Sequence, residues 1–513
     1  MNPKFLSLPA VLVFACASAF AQNPPAANAS PSADERVAAL KALKIDACTI
    51  TQVQHDDSPT LKLGDGRTRN NTPPRTIVKL VLNPGKGSNI NVELWLPDGE
   101  KWSGRLLGLG NGGPAGHINS SSLAGPMAEG YAVVTTDMGT APNPDSGVGN
   151  REVWKDFGFR ATHLMTVVAK QMVTAYYGRG PEFSYFNGGS TGGQQAYQEA
   201  QRYPEDYDGI VGTIPAHCRT PLHAYFLWND QILNRCPFTK EQEANVIAAG
   251  NEYMAARETP PVAGKFVSDP RCSAKDIEAV IILAMQKDPS LTPAHADVLR
   301  KLLDGPRHAV TGERIFNGIP IGGAISPAHG NLYLFKWVFG ADKNLQTIDF
   351  GADIDTYTAA LGPYLNAENP DLSAFEKRGG KFISTTGAAD SVVPSSATVD
   401  YYERVIEHCG SLEKTKSFFR LYLIPGMAHG SSPGINSLPN LVELVKNWRE
   451  KGTAPDALRG ARAADGKTEL EMPVYPYPTK AGWDAEAHSF KAVDGPRGGF
   501  ERVAERFRPA AAE

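Results

Sequence analysis

A serine hydroxyl attacks a carbonyl only when a base takes its proton and a carboxylate holds that base in the correct tautomer. Three residues of this chain stand in the order that requirement takes on a parallel sheet: Ser190, Asp390 and His429. Ser190 lies in Gly188-Gly189-Ser190-Thr191-Gly192, a G-x-S-x-G motif between the strand-like Phe183-Ser184-Tyr185-Phe186 and a helical pattern from Gln194 to Arg202. In that setting a sharp turn exposes the serine oxygen, and the flanking glycines let helix and strand approach. Asp390 follows the strand-like run from Lys381 to Thr386, and His429 follows another from Phe418 to Ile424. Taken alone, Asp390 could cap the helix predicted over 395–407, and His429 could be a loop histidine bonded to backbone. Together, three fitting residue types, each just past a strand and in the right order, favour the nucleophilic triad.

The intermediate of acyl transfer carries an oxyanion, which needs donors already in place. One is the backbone N–H of Thr191, next after the serine. The other is expected from the glycine-rich Gly110-Asn111-Gly112-Gly113, which follows a strand over Arg105 to Leu109. The same loop also spells G-x-G-x-x-G (Gly108, Gly110, Gly113), and Asp137 ends the next strand, the outline of a dinucleotide site. That alternative needs a helix to begin within the loop, and Pro114-Ala115-Gly116-His117 offers weak helix signals.

These loops need a frame to hold them. Strands are predicted over 76–82, 90–96, 105–109, 131–137, 183–186 and 209–212, from β-branched and apolar runs. Leu164, Val167, Val168 and Met172 recur at helical spacing within 160–177. Strand and helix in alternation imply an α/β fold with a mostly parallel sheet flanked by helices. The 513 residues, 42% hydrophobic and 21% charged, describe a globular protein rich in turns, with 50 glycines and 39 prolines. Lys and Arg number 51 against 55 Asp and Glu, a net charge of −4, which lacks the basic excess a nucleic-acid binder needs.

Residues 1–21 read as an export signal: Lys4, an apolar stretch from Phe5 to Phe20, and an A-x-A site at Ala19-Phe20-Ala21. The stretch is interrupted by Pro9 and short for a membrane span, so a periplasmic or secreted protein is expected. Residues 22–34 read as a flexible linker. Cys48, Cys218, Cys236, Cys272 and Cys409 would remain, an odd number in which Cys236 and Cys272 are the favoured pair. No Cys or His spacing suggests zinc.

Residues 156–216, with FNGGSTGGQQAYQEAQRYPEDYDGIVGTIPA at their end, resemble the core signature of the tannase/feruloyl esterase family, which also contains the hydrolase of mono(2-hydroxyethyl) terephthalate. WLPDGEKWSGRLLGLGNGGPAG (95–116), GYAVVTTDMGT (130–140), LTPAHADVLRKLLDGPR (291–307), LIPGMAHG (423–430) and VKNWREKGTAPD (445–456) extend the resemblance over nearly the whole chain. It implies an α/β-hydrolase in which Ser190, Asp390 and His429 are catalytic and Gly113 and Thr191 form the oxyanion hole. It also implies a lid inserted between serine and acid, and the 200 residues separating Ser190 from Asp390 leave room for one. The expected organisation is a catalytic domain over 35–217 and 348–513, with the lid at 218–347.

Three features of the resembled family are missing here. Its members usually carry cysteines just before the nucleophile and just after the histidine, joined beneath the triad; here those positions are Gly189 and Gly430. Relatives commonly hold calcium in an Asp/Gly-rich lid loop, whereas residues 250–272 have no such series and Glu252, Glu258 and Asp269 are scattered. Neither a metal nor any other cofactor is therefore expected. Tyr475 likewise stands where relatives tend to have cysteine.

The resemblance implies a small aromatic ester as substrate, whether feruloyl, galloyl or a terephthalate monoester, and possible attachment to a plant polymer or polyphenol. Phenolic esters rank first, because no lid Arg aligns as a clamp for a free carboxylate and Lys336 and Lys343 have no support in that role. Tyr333, Phe335 and Trp337 alternate in NLYLFKWVFG, which suits a strand with one aromatic face against a substrate ring. The same residues, with Phe226 and Trp228, equally suit lid core. A lipase-like enzyme for aliphatic esters and a noncatalytic binding protein on the same scaffold are the readings from other classes.

Overall fold

The computed structural model describes residues 31–63, 66–257, 266–325, 332–430 and 432–508. The proposed export signal, most of the linker and Glu258 lie outside these. The linker's end is already ordered as a helix start: Ser32 caps Ala33–Ala42 in a capping box with Glu35.

The main sheet is formed by β1 (Cys48–Asp56), β2 (Arg75–Leu82), β3 (Ile90–Pro97), β4 (Arg105–Leu109), β5 (Ala132–Thr136), β6 (Phe183–Gly189), β7 (Gly209–Thr213), β8 (Lys381–Gly387) and β9 (Phe419–Ile424). Their spatial order is β1-β2-β3-β5-β4-β6-β7-β8-β9. The pairs from β1 to β5 are antiparallel, and all pairs from β5 to β9 are parallel. The mostly parallel α/β-hydrolase sheet expected from the sequence is therefore present, and β1, which the sequence reading did not anticipate, extends its antiparallel edge.

Parallel strands must be covered on both faces, and the side-chain alternation shows it. Leu106, Phe186, Ile210, Phe382 and Leu421 belong to one core cluster. Leu107, Tyr185, Val211, Ile383 and Tyr422, each one residue away, belong to a second on the opposite face. The first face is covered by α1 (Ala161–Tyr177), α2 (Thr191–Arg202) and Val399, Tyr402 and Val405 of Ser395–Cys409. The second is covered by Val442, Val445 and Trp448 of Leu441–Lys451.

Between β7 and β8 the described residues carry helices α3 (Arg219–Leu233), α4 (Lys240–Ala255), α5 (Ala274–Lys287), α6 (Pro293–Asp304) and α7 (Tyr333–Phe339). α7 corrects the strand expected for the aromatic stretch. Its buried residues are Tyr333, Leu334, Phe335 and Trp337, with Lys336, Val338 and Phe339 only partly buried, so burial does not follow the aromatic alternation. No helix among the described residues is long and apolar enough to cross a membrane.

The expected Cys236–Cys272 bridge is also not made, since all five described cysteines are free thiols. Both thiols pack instead as small apolar groups against the core.

Candidate active site

Ser190 sits between the end of β6 and the start of α2 with φ 57° and ψ −113°. A non-glycine residue held there costs about 1–3 kcal/mol, a strain that surrounding packing must impose. The imposing contacts are visible. Ser190 N donates to Thr213 O at 3.0 Å, and Gly192 N donates to Asn111 O at 2.7 Å. A Cβ on Gly188 would lie 2.4 Å from Gly192 O, and one on Gly110 would lie 2.6 Å from Gly192 Cα. These glycines let β6, α2 and the loop after β4 meet closely enough to project the serine side chain.

His429 follows β9 and Asp390 follows β8. His429 Nδ1 is 2.9 Å from Asp390 Oδ2, and its Nε2 is 3.2 Å from Ser190 Oγ. Asp390 is fully buried, and its Oδ1 accepts from the amides of Val392 (2.9 Å) and Val393 (2.8 Å). The carboxylate thus spends one oxygen on its own loop and turns the other to the imidazole. It is not the cap of the helix that starts at Ser395, whose N-cap position is Pro394. The His429 loop is held in turn by Gly426 N donating to Val267 O (2.7 Å) and Ser432 Oγ donating to Gly426 O (2.9 Å).

Gly113 and Thr191 also come together. Thr191 Oγ1 donates to Gly113 O at 2.6 Å, and among the described residues neither backbone N–H donates to a protein acceptor. The glycine loop is fixed from behind: Asn111 N donates to Gln195 Oε1 (2.8 Å), and Asn111 Nδ2 donates to Thr136 O (2.6 Å). The loop runs into a turn and not into a helix, so the dinucleotide alternative lacks the helix N-terminus it requires. Asp137, its would-be ribose ligand, is bonded to Asn91 and Gly139, and its carboxyl is pushed upward chiefly by burial.

Of the aromatic residues proposed against the substrate, Tyr333 alone is tied to the site. Its hydroxyl accepts from Arg219 Nη2 at 2.6 Å. Phe335 stacks on Tyr357 with centroids 4.2 Å apart, and Trp337 packs edge-on to Phe157 while its Nε1 donates to Pro144 O. Trp228 donates to Lys301 O, and Phe226 packs beside His223. Lys343 lies over the Phe339 ring.

Arg219 escaped the sequence reading. Its Nη1 donates to Thr191 Oγ1 (3.0 Å), its Nη2 approaches Gly113 O (3.4 Å), and its guanidinium lies 5.2 Å from the Phe157 ring centre. A signal was present: it is the first residue of α3, and a cation is disfavoured at that end of a helix.

Two of the carboxylates weighed for a calcium site, Asp269 and Glu252, are engaged by cations. Asp269 is bonded to Arg271 and Lys480; burial raises its carboxyl, but those cations outweigh it and hold it at about 2. Glu252 pairs with Lys287. Among the described residues no group of three or more His, Cys, Asp or Glu side chains is gathered to hold a metal. At the two positions where the resemblance implies paired cysteines, a Cβ on Gly189 would meet the Thr213 hydroxyl at 2.7 Å, and one on Gly430 would meet nothing within 4 Å among the described residues.

Comparison with known proteins places this geometry in context. The family model described as tannase and feruloyl esterase matches residues 76–348 and 335–495. The chain is 28% identical to an uncharacterised esterase of Xanthomonas campestris pv. campestris, over 91% of this chain and 93% of that one. It is 29% identical to feruloyl esterase B of Aspergillus niger, over 78% and 82%. Its fold superposes on the crystal structure of feruloyl esterase B from Aspergillus oryzae with a TM-score of 0.76 at 22% identity, covering 89% of this chain and 100% of that one. For the tannin acyl hydrolase of Aspergillus niger the TM-score is 0.74 at 18% identity, covering 93% and 97%. With the family model matching well over half of its residues, the chain belongs to the tannase and feruloyl esterase family and is a carboxylic ester hydrolase.

Proposed function

We propose that this protein is an exported serine esterase that hydrolyses esters of aromatic, phenolic carboxylic acids such as feruloyl or galloyl esters. The observation that carries the reading is the hydrogen-bonded line from Ser190 Oγ through His429 to Asp390, at 3.2 and 2.9 Å, with the serine on a strained turn. Ser190 attacks the ester carbonyl while His429 Nε2 takes its proton, and Asp390 holds the imidazole and stabilises its charged form. The amides of Gly113 and Thr191 receive the oxyanion. The alcohol leaves with the proton from His429, and a water attacks the acyl-enzyme by the same route to release the aromatic acid.

Residues 218–347 act as the lid in this reading. Tyr225 Oη of α3 donates to Ser391 O beside the acid, which joins that segment to the triad loops. Residues 1–21 act as the export signal. The phenolic preference rests on the curated relatives named as feruloyl esterases.

A hydrolysis panel tests the reading, comparing methyl ferulate, methyl gallate, mono(2-hydroxyethyl) terephthalate and a short aliphatic ester, each against a Ser190→Ala control. Serine-dependent preference for methyl ferulate or methyl gallate is expected. Preference for the terephthalate monoester moves the enzyme to that substrate branch, and activity confined to the aliphatic ester overturns the aromatic assignment.

A further inference from the structure

Arg219 is 3% exposed and, among the described residues, forms no ion pair with a carboxylate. Its Nε meets no acceptor. What it does touch is neutral: the Tyr333 hydroxyl, the Thr191 hydroxyl, the Gly113 carbonyl and the Phe157 ring. Taking a guanidinium out of water without a counter-charge is costly, and placing it on the first residue of the 15-residue α3 sets it against the helix dipole. Both costs are offset if a negative charge appears beside it during turnover.

Such a charge appears in the proposed reaction. When Ser190 Oγ bonds to the ester carbon, its proton passes to His429 Nε2 and the carbonyl π pair moves onto oxygen, which then carries one negative charge. That oxygen faces the amides of Gly113 and Thr191, the two residues Arg219 holds. Arg219 gives up no proton; the oxyanion's charge returns to the carbonyl as the alkoxide departs with the proton from His429. We propose, resting on the serine-esterase reading above, that Arg219 is a positioning residue of the oxyanion hole. Tethered by Tyr333, it fixes Thr191 and Gly113 through their side-chain and carbonyl oxygens, and its charge favours the oxyanion over the neutral ester. The interaction is stronger in the transition state than in the ground state, so it acts on kcat and leaves KM nearly untouched.

The test uses the whole chain with Arg219→Met, Arg219→Lys and Tyr333→Phe, assayed on methyl ferulate. Arg219→Met is expected to lower kcat about 100-fold, the scale of losing one oxyanion donor, with KM within about threefold. Arg219→Lys, which keeps the charge, recovers at least about a tenth of wild-type kcat. Inhibition by phenyl trifluoromethyl ketone, whose adduct with serine carries an oxyanion, weakens in step with kcat, while inhibition by the neutral ferulamide does not. A purely structural role would not produce that split. A folded Arg219→Met enzyme with wild-type kcat overturns the proposal, as does a rise in KM confined to carboxylate-bearing esters. If Arg219→Met does not fold, wild-type kcat in both Arg219→Lys and Tyr333→Phe with an unweakened ketone overturns it. A serine-directed phosphonate separates the two levels of argument. Labelling of Ser190 alongside undiminished turnover in Arg219→Met removes the role of Arg219 alone. Activity surviving Ser190→Ala removes the serine mechanism and this inference with it.

Discussion

The hydroxyl of Thr191 donates to the carbonyl oxygen of Gly113 at 2.6 Å, a side-chain bond between the two residues proposed to supply the oxyanion-hole amides. One amide comes from the start of α2 and the other from the loop after β4, 78 residues earlier. In the proposed site the bond therefore sets the spacing of two donors that the chain delivers independently.

Thr191→Val removes the hydroxyl and keeps the shape. We expect kcat to fall about tenfold with KM little changed, while Thr191→Ser stays near wild type. Steady-state kinetics on methyl ferulate decide it, and a loss confined to KM would mean that the bond serves substrate binding instead.

Asp390→Asn tests how the imidazole is held. An asparagine oxygen can still accept from Val392 and Val393, so the loop survives, but its amide then donates toward His429 Nδ1. That forces the hydrogen onto Nε2, where it can no longer accept from serine. A drop in kcat of about 10⁴ with an unchanged melting temperature is expected.

Gly188→Ala and Gly430→Ala should behave oppositely. The added methyl at 188 would lie 2.4 Å from the Gly192 carbonyl oxygen, whereas at 430 it meets nothing within 4 Å. Denaturant unfolding should show a loss above about 3 kcal/mol, or no soluble protein, for the first. For the second the change should stay within about 0.5 kcal/mol. A soluble, fully stable Gly188→Ala protein would contradict the close approach of β6 and α2.

Acid stability should depend on Glu368. Burial by itself pushes its carboxyl up, but Arg404, His217 and Arg508 outweigh it and hold the group at about 2. His217 Nδ1 lies 2.5 Å from it, and Arg404 pairs with its other oxygen. A carboxylate depressed on folding contributes stability that is complete above its unfolded value of about 4.5 and is lost as pH falls toward about 2. Wild type should therefore exceed Glu368→Gln in urea midpoint most at pH 5 and above, with the gap closing between about 4.5 and 2. A gap independent of pH would show that the ion pair is not what the variant removes.

The convergence of Ser190, Asp390 and His429 was legible because each lies on a short loop next to a strongly apolar strand, so local pattern and chain order sufficed. The expected strand over Arg105–Leu109 matches β4 at both ends, and β8 exceeds its expected run by one residue, Gly387. The helix predicted over 395–407 runs two residues further, to Cys409, where Gly410 adopts the left-handed conformation that ends it. The aromatic stretch at 333–339 failed because alternation over so few residues does not separate a strand from a short, largely buried helix. The Cys236–Cys272 expectation failed because flanking one segment carries no information on where two thiols point.

The sequence by itself determined the residue types of the proposed triad and the strands that deliver them, since hydrophobic period and turn composition are local properties. Only the tertiary structure decided that Arg219 reaches Thr191, Gly113 and Tyr333 at once. Those contacts join residues 28, 106 and 114 positions apart. Contacts at such separation depend on how α3 and α7 settle against the loop after β4, and no local pattern encodes a distance between elements.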